Sequence, residues 1–317
     1  MDLLKEIGNA KKIAIAGHIR PDGDCISSCL SLSKYLENAL GEVDITVFME
    51  PNPPTIFSYL KGYSDMRHDY GTDEVYDVFI TVDVSALDRL GNALPIFERA
   101  GKRICIDHHE SNTGLAEANE IKPYACSTCE VLYDIFDKKY IDSDIAEALF
   151  SGIVHDSGVF QYSNMSRHSF EIVGHLIEYD FDGPKIIQET FYQKSYAQNQ
   201  IMGKVLMDSK LYMDGKCIVG MVDKEMMNAF GVLPKHLDGI VNQLQNTRGV
   251  EIAIFMYELD DKRCKVSMRS NGNINVADIA VSYSGGGHAK AAGCEMEGTY
   301  QEMVDSLLQS IQARMNS

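Results

Sequence analysis

Four short segments place aspartate and histidine where apolar stretches end. "GHIRPDGDCIS" carries His18, Asp22 and Asp24, "FITVDVS" carries Asp83, "ICIDHHES" carries Asp107, His108 and His109, and "SGIVHDSG" carries His155 and Asp156. Singly, each has an ordinary explanation: Asp22 and Asp24 as an Asx turn or cap, Asp83 and Asp156 as turn formers, the paired histidines as a satisfied ring beside a surface one. Jointly they do not. Several carboxylates facing one crevice repel one another and raise their own pKa values unless a cation neutralises them, so the pattern points to a metal centre. Carboxylate and imidazole without thiolate suit Mn²⁺, with Mg²⁺, Fe²⁺ or Co²⁺ as substitutes, and disfavour a structural zinc site. At least six ligands exceed what one ion with open positions needs. Two ions sharing a bridging carboxylate are implied, about 3.5 to 4 Å apart, an arrangement suited to phosphoryl chemistry.

The surrounding sequence supplies elements able to bring these segments together. Apolar β-favouring runs, "KIAIAGH", "DITVFME", "YDVFITVDVS" and "KRICIDHH", alternate with helical stretches at Cys25 to Leu40 and near Pro95 to Ala100. Strands continuous in apolar residues and separated by helices predict a parallel sheet covered on both faces. In such a sheet the carboxyl ends of the strands line one crevice, where ligands bind. Beyond "IDHH" the character is helical. Ser127 with Glu130 and Asp144 with Glu147 read as capping boxes opening helices. "FDGPK" breaks the pattern, and the polar stretch "FYQKSYAQNQIMGKVLMDSK" reads as a helical connector. A hairpin at Asp214-Gly215, helical "PKHLDGIVNQLQ", strands "EIAIFMYEL" and "CKVSMRS" around a turn at Asp260-Asp261, and a closing helix from Thr299 predict a smaller α+β domain. The expected boundaries are residues 1–183, a helical linker 184–209, and 210–317.

Composition narrows the class. The 317 residues are 45% hydrophobic and 24% charged, which excludes disorder, collagen-like repeats and coiled coils. No apolar run is long enough for a signal peptide or membrane span, so a cytoplasmic protein with no membrane partner is expected. The eight cysteines fit a reducing compartment, and Cys126-x-x-Cys129 has no second pair with which to hold zinc. The net charge of −17 argues against binding long nucleic acid. That charge is uneven: residues 210–317 hold 11 basic and 13 acidic side chains, or −2, which leaves 18 and 33, or −15, for residues 1–209. Bound cations would offset the acid of the first part.

These motifs, in this order, resemble those of the DHH phosphoesterases: "GHIRPDGD", "VDVS", "IDHHES" and "HDSG". "SMRSNG" and "GGGHAKAAG" (Gly285 to Gly293) likewise resemble the DHH-associated domain. The resemblance covers essentially the whole chain. It implies an α/β fold in which a parallel-sheet catalytic domain is joined by a helical linker to a smaller α+β substrate-binding domain. It is most similar to the nano-RNase and pAp phosphatase group and its relatives that act on cyclic di-AMP or pApA. By motif position it implies that His18, Asp22 and Asp83 hold one ion and that Asp24, Asp83, His108 and Asp156 hold the other. Asp107 would orient its neighbours, and His109 would meet the scissile phosphate. Arg269, Asn271, Gly286, Gly287 and His288 are then the substrate-binding residues. The substrates implied are short oligoribonucleotides or small adenine nucleotides, and relatives suggest a homodimer. Where the phosphatase group often carries "TDTGRF", this chain has His155 and Val159 in place of the threonine and arginine, so fine specificity does not transfer. His155 reads either as an extra acid or base or as a solvated neighbour. A nucleotide sensor without turnover is the alternative from another class, against which the intact metal motifs argue.

Overall fold

A computed structural model describes residues 1–71, 73–162, 164–260 and 262–315. The chain divides into two compact units, Met1–Gln193 and Lys194–Ser317. In the first, β1 (Lys12–Ala16), β2 (Asp44–Phe48), β3 (Val78–Val82), β4 (Lys102–Asp107) and β5 (Ala118–Ile121) form a parallel sheet in the order β2-β1-β3-β4-β5. Its helices are α1 (Leu3–Ile7), α2 (Gly23–Leu40), α3 (Leu94–Arg99), α4 (Thr128–Ile135), α5 (Ser143–Asp156), α6 (Arg167–Leu176) and α7 (Gly183–Ile187).

The apolar strands are continuous because both faces are covered. Ile13 and Ile15 of β1, with Ile80 and Val82 of β3, enter one core with α2, α4 and α5, whereas Ala14, Ala16 and Phe79 enter another with Ile96 and Phe97 of α3. Side chains alternate across a strand, so one apolar run serves two cores. The strand order also makes β1 and β3 neighbours where the winding direction reverses, the place at which open α/β sheets bind ligands. β5, "ANEI", is too short and polar to be read as a strand from its sequence, and it pairs with β4 at the sheet edge.

Caps fix where the helices begin. Asp22 accepts from Cys25 N–H at the start of α2, and Ser127 accepts from Glu130 N–H at the start of α4. α5 begins two residues earlier than the expected Asp144 cap. Asp142 accepts from Ile145 N–H at 3.0 Å while its other oxygen takes a bond from Asn38 of α2 at 2.8 Å, and this cross-link anchors the turn.

The second unit carries a mixed sheet, β10-β11-β9-β8-β7-β6, made of β6 (Lys210–Tyr212), β7 (Cys217–Val222), β8 (Ile252–Asp260), β9 (Arg263–Ser270), β10 (Gly286–His288) and β11 (Ala291–Glu297). Among the described residues, β7–β8 is its one parallel pairing. α8 (Tyr196–Asp208), α9 (Lys224–Phe230) and α10 (Ile240–Gln245) contribute to one core, and α11 (Val276–Val281) with α12 (Tyr300–Met315) to another. The segment read as a connector divides at residue 193: Ile201 and Val205 of α8 are fully buried in the second unit. "PKHLDGIVNQLQ" is not one helix. Gly239, at φ 85, separates a short turn at Pro234–His236 from α10. Of the expected turn at Asp260-Asp261, Asp261 lies outside the described residues.

α5 lies so close to α2 and α4 that a Cβ on Gly152 would stand 2.2 Å from Cys129 Sγ and 2.7 Å from Asp24 Oδ1. Gly152→Ala is therefore expected to destabilise the protein by about 1–3 kcal/mol through overpacking, read as a lower thermal midpoint by circular dichroism. An unchanged midpoint would contradict this packing.

Candidate metal centre

Three neighbouring strands deliver the acidic and imidazole groups. β1 leads into Gly17 and His18, β3 into Asp83, and β4 ends at Asp107 before His108 and His109. The first turn of α2 adds Asp22 and Asp24, and the last residue of α5 is Asp156.

Asp83 is the residue around which the others gather. Its Oδ2 lies 3.4 Å from His18 Nε2, and Asp22 Oδ2 is 3.6 Å from the same nitrogen. Its Oδ1 lies 3.6 Å from His108 Nε2, which is 3.4 Å from Asp156 Oδ2. Asp24, His108 and Asp156 offer ligand atoms that all lie within 4.8 Å of one another. These separations exceed hydrogen-bond length. They match donors arranged around common centres, because ligands about 2.1 Å from an ion stand roughly 3 Å or more apart.

Both histidines are held in the orientation that ligation by Nε2 requires. Nδ1 of His18 is 2.9 Å from the Ile19 carbonyl and Nδ1 of His108 is 3.3 Å from the Ala125 carbonyl. A proton on Nδ1 is satisfied there and Nε2 faces the carboxylates, where a cation would take the place of its proton. His109 differs. Its Nδ1–H donates to Asp107 Oδ1 at 2.8 Å, and its side chain is 34% exposed against 14% for His108. Asp107, itself buried, is fixed by Asn112 Nδ2 at 2.7 Å. The residue expected to orient its neighbours therefore orients His109, and His108 relies on a backbone carbonyl.

The electrostatics state the need for a cation. Burial, then repulsion from Asp24, Asp83 and Asp22, pushes the Asp156 carboxyl up to about 9. Burial and the Asp83 charge push Asp24 up to about 7, although Thr128 and Cys129 N–H groups donate to its two oxygens at 2.6 and 3.1 Å. Burial opposes charge on His18, but its contacts with Asp22 and Asp83 outweigh that and push it up to about 12. His109 is raised chiefly by its bond to Asp107. The donor set fits a divalent ion: crowded carboxylates hold protons a cation would replace, and two imidazoles have Nδ1 tied back. Cys25 lies within reach of His18 and Asp83, but burial raises its thiol well above the ordinary value, so it is a neutral neighbour.

His155 packs edge-on against Phe57 with ring centroids 4.7 Å apart, and its Nε2 is 2.8 Å from Thr190 Oγ1. Val159 sits at φ 56 and packs against the core of the first unit.

In the second unit, β9 and β10 flank β11, with Arg269 opposite Ala291 and His288 opposite the same residue. Gly286, Gly287 and His288 are exposed. A Cβ on Gly287, at φ 143, would meet the Ala291 carbonyl at 2.5 Å, whereas one on Gly286 would meet open space. The close approach of β11 thus already requires Gly287. Asn271, expected to bind substrate, has its amide donating to the Gln245 and Val250 carbonyls and its oxygen accepting from Gln245, bonds that close the loop after β9.

Motif reading did not single out Thr128, whose Oγ1–H donates to Asp83 Oδ1 at 3.0 Å, or Arg89, whose Nη2 is 3.2 Å from His18 Nδ1. The one available signal for Thr128 was its place directly after the Ser127 cap.

Raised pKa values mean that folding favours the protonated forms. Asp156 contributes stability that is lost as pH rises from its ordinary 3.8 to about 9, and His18 contributes stability lost between 6.5 and about 12. Both losses run in the same direction. The thermal midpoint of EDTA-stripped protein should fall between pH 6 and about 9, and the gap to protein saturated with a divalent cation should widen. A constant or narrowing gap would contradict this electrostatic picture.

Residues 12–153 match the DHH family, N-terminal domain, and residues 214–317 match the DHHA1 domain. The bifunctional oligoribonuclease and PAP phosphatase NrnA of Bacillus subtilis (strain 168) is 25% identical over 302 residues, which cover 93% of this chain and 92% of that protein. The cyclic-di-AMP phosphodiesterase PdeA of Listeria monocytogenes (strain 10403S) is 26% identical across 97% of this chain, but over only 48% of its own length. The crystal structure of an exopolyphosphatase-related protein from Bacteroides fragilis superposes with a TM-score of 0.89 at 26% identity, covering 98% of this chain and 94% of that one. DHH enzymes are metal-dependent, and among the described residues no helix is long and apolar enough to cross a membrane. With both domains matched and the acidic motifs gathered at the strand ends, the chain belongs to the DHH family of phosphoesterases.

Proposed function

We propose that the chain is a Mn²⁺-dependent phosphohydrolase of short nucleotides, releasing nucleoside monophosphates from short oligoribonucleotides or pApA, or phosphate from pAp. The observation that carries this reading is the division of the Asp83 carboxylate, Oδ2 toward His18 and Oδ1 toward His108. His18, Asp22 and Asp83 would hold one ion, and Asp24, Asp83, His108 and Asp156 the other. Mn²⁺ is favoured because the set is carboxylate and imidazole, and Mg²⁺ or Co²⁺ are substitutes. When bound, the ions supply a hydroxide at neutral pH and neutralise charge on the phosphoryl group.

His109 acts alongside them. Its bond to Asp107 raises its pKa and so favours the imidazolium, with Nδ1–H held by Asp107 and Nε2–H able to donate to a phosphoryl oxygen. Asp107 keeps that ring aimed and, held below its ordinary pKa against the cost of burial by bonds from His109 and Asn112, stays ionised. Such a donor strengthens as negative charge builds on the oxygen in the transition state. In the second domain, Arg269 with its fork, the exposed glycines Gly286 and Gly287, and His288 are the anion-binding residues. Similarity to the Listeria enzyme supports cyclic di-AMP as a second substrate candidate.

Chromatography of products from pAp, pApA, a short oligoribonucleotide and cyclic di-AMP with Mn²⁺ tests the reading. Hydrolysis of at least one of the first three is expected, and turnover of none would overturn it. His108→Ala should lose bound metal. His109→Ala should retain it while kcat falls by about 10²–10³-fold. Equal metal content and equal residual activity in the two variants would refute the division of roles. Arg269→Ala should raise KM more than it lowers kcat, and the reverse would place Arg269 at the reacting phosphate.

A further inference from the structure

We infer that Thr128 is a positioning residue for the metal centre, holding Asp24 and Asp83 at once from the first turn of α4; this rests on the metal-dependent reading above. Thr128 is fully buried. Its N–H donates to Asp24 Oδ2 at 2.6 Å and its Oγ1–H to Asp83 Oδ1 at 3.0 Å, and the next residue, Cys129, donates N–H to Asp24 Oδ1 at 3.1 Å. One residue thus ties together carboxylates from the start of α2 and the end of β3.

Asp83 has particular need of such a hold. Its backbone is left-handed, φ 59, an uncommon state that persists where surroundings fix it. The torsion that turns an aspartate carboxylate is broad, so the side chain does not by itself choose a plane. Here the plane matters, because one oxygen must face His18 and the other His108. The Thr128 hydroxyl selects it. Each carboxylate oxygen has more than one lone pair, so accepting from Thr128 leaves Oδ1 able to ligate. Donation withdraws a little charge from the carboxylate, which weakens a metal bond. Loss of orientation is the larger effect, since partners that orient ligands commonly change metal affinity by about 10- to 100-fold.

Thr128→Val removes the hydroxyl while keeping the shape and both backbone donors; Thr128→Ser keeps the hydroxyl. Mn²⁺ titration of EDTA-stripped protein by calorimetry, with thermal midpoints measured in parallel, reads the effect. The expected result is a loss of about 10- to 100-fold in Mn²⁺ affinity for Thr128→Val and near wild-type affinity for Thr128→Ser. A purely structural role would lower the metal-free midpoint and leave affinity unchanged, and that outcome overturns the inference. So does a Thr128→Ser loss as large as that of Thr128→Val. If Thr128→Val does not fold, Thr128→Ala makes the same comparison. Wild-type protein that binds no Mn²⁺ would instead overturn the metal-dependent reading itself.

Discussion

Asp24 and Asp83, both buried, share a crevice with partly buried Asp156, solvent-exposed Asp22 and the imidazoles of His18 and His108, and the rest of the first unit is arranged around the repulsion among these four carboxylates. Two unit charges 4 Å apart at an effective dielectric constant of 20 interact by about 4 kcal/mol. A few such pairs rival the 5–15 kcal/mol by which a domain is stable. The unit meets that cost in three ways. It retains protons on Asp156 and Asp24, it aims the N–H groups of the first turn of α4 at Asp24, and it offers geometry in which a divalent charge would replace the protons. The close contact of α5 at Gly152 belongs to the same design, because a larger residue there would press on both Cys129 and Asp24.

Strain gathers at the same place. Asp83 is left-handed where β3 gives way to the crevice, and Gly158, Val159 and Phe160 follow Asp156 in three successive left-handed conformations. Ser157 steadies that turn: its hydroxyl accepts from Phe160 N–H, and its carbonyl from Gln161 and Tyr162 N–H. Val159, a β-branched residue poorly suited to positive φ, is kept there by packing against the core. The segment in which this chain departs from the arginine-bearing motif is thus apolar and inward-packed at that residue, a physical reason for not transferring a phosphate contact to it.

Much of this architecture was legible in the sequence because its signals are local. Apolar runs ending in Asp or His marked β1, β3 and β4, and Ser127 marked the start of α4. What stayed hidden depends on long-range partners. Asp142 rather than Asp144 caps α5 because Asn38 of another helix holds it, and β5 is a strand only because β4 offers an edge. α8 looks polar, yet Ile201 and Val205 suffice to seat it in the second unit. The bonds that tie Asn271 to Gln245 and Val250 likewise join segments distant in the sequence. Thr128 reads as an ordinary first-turn residue until Asp24 and Asp83 are brought to it.

In the proposed centre Asp83 bridges two ions. Electron paramagnetic resonance of protein titrated with Mn²⁺ addresses it directly, since ions joined through a carboxylate exchange-couple and isolated ions do not. Two ions per chain are expected, with a coupled signal that replaces the isolated-ion spectrum as the second site fills. One ion at saturation, or two whose spectra remain those of isolated Mn²⁺, would contradict it.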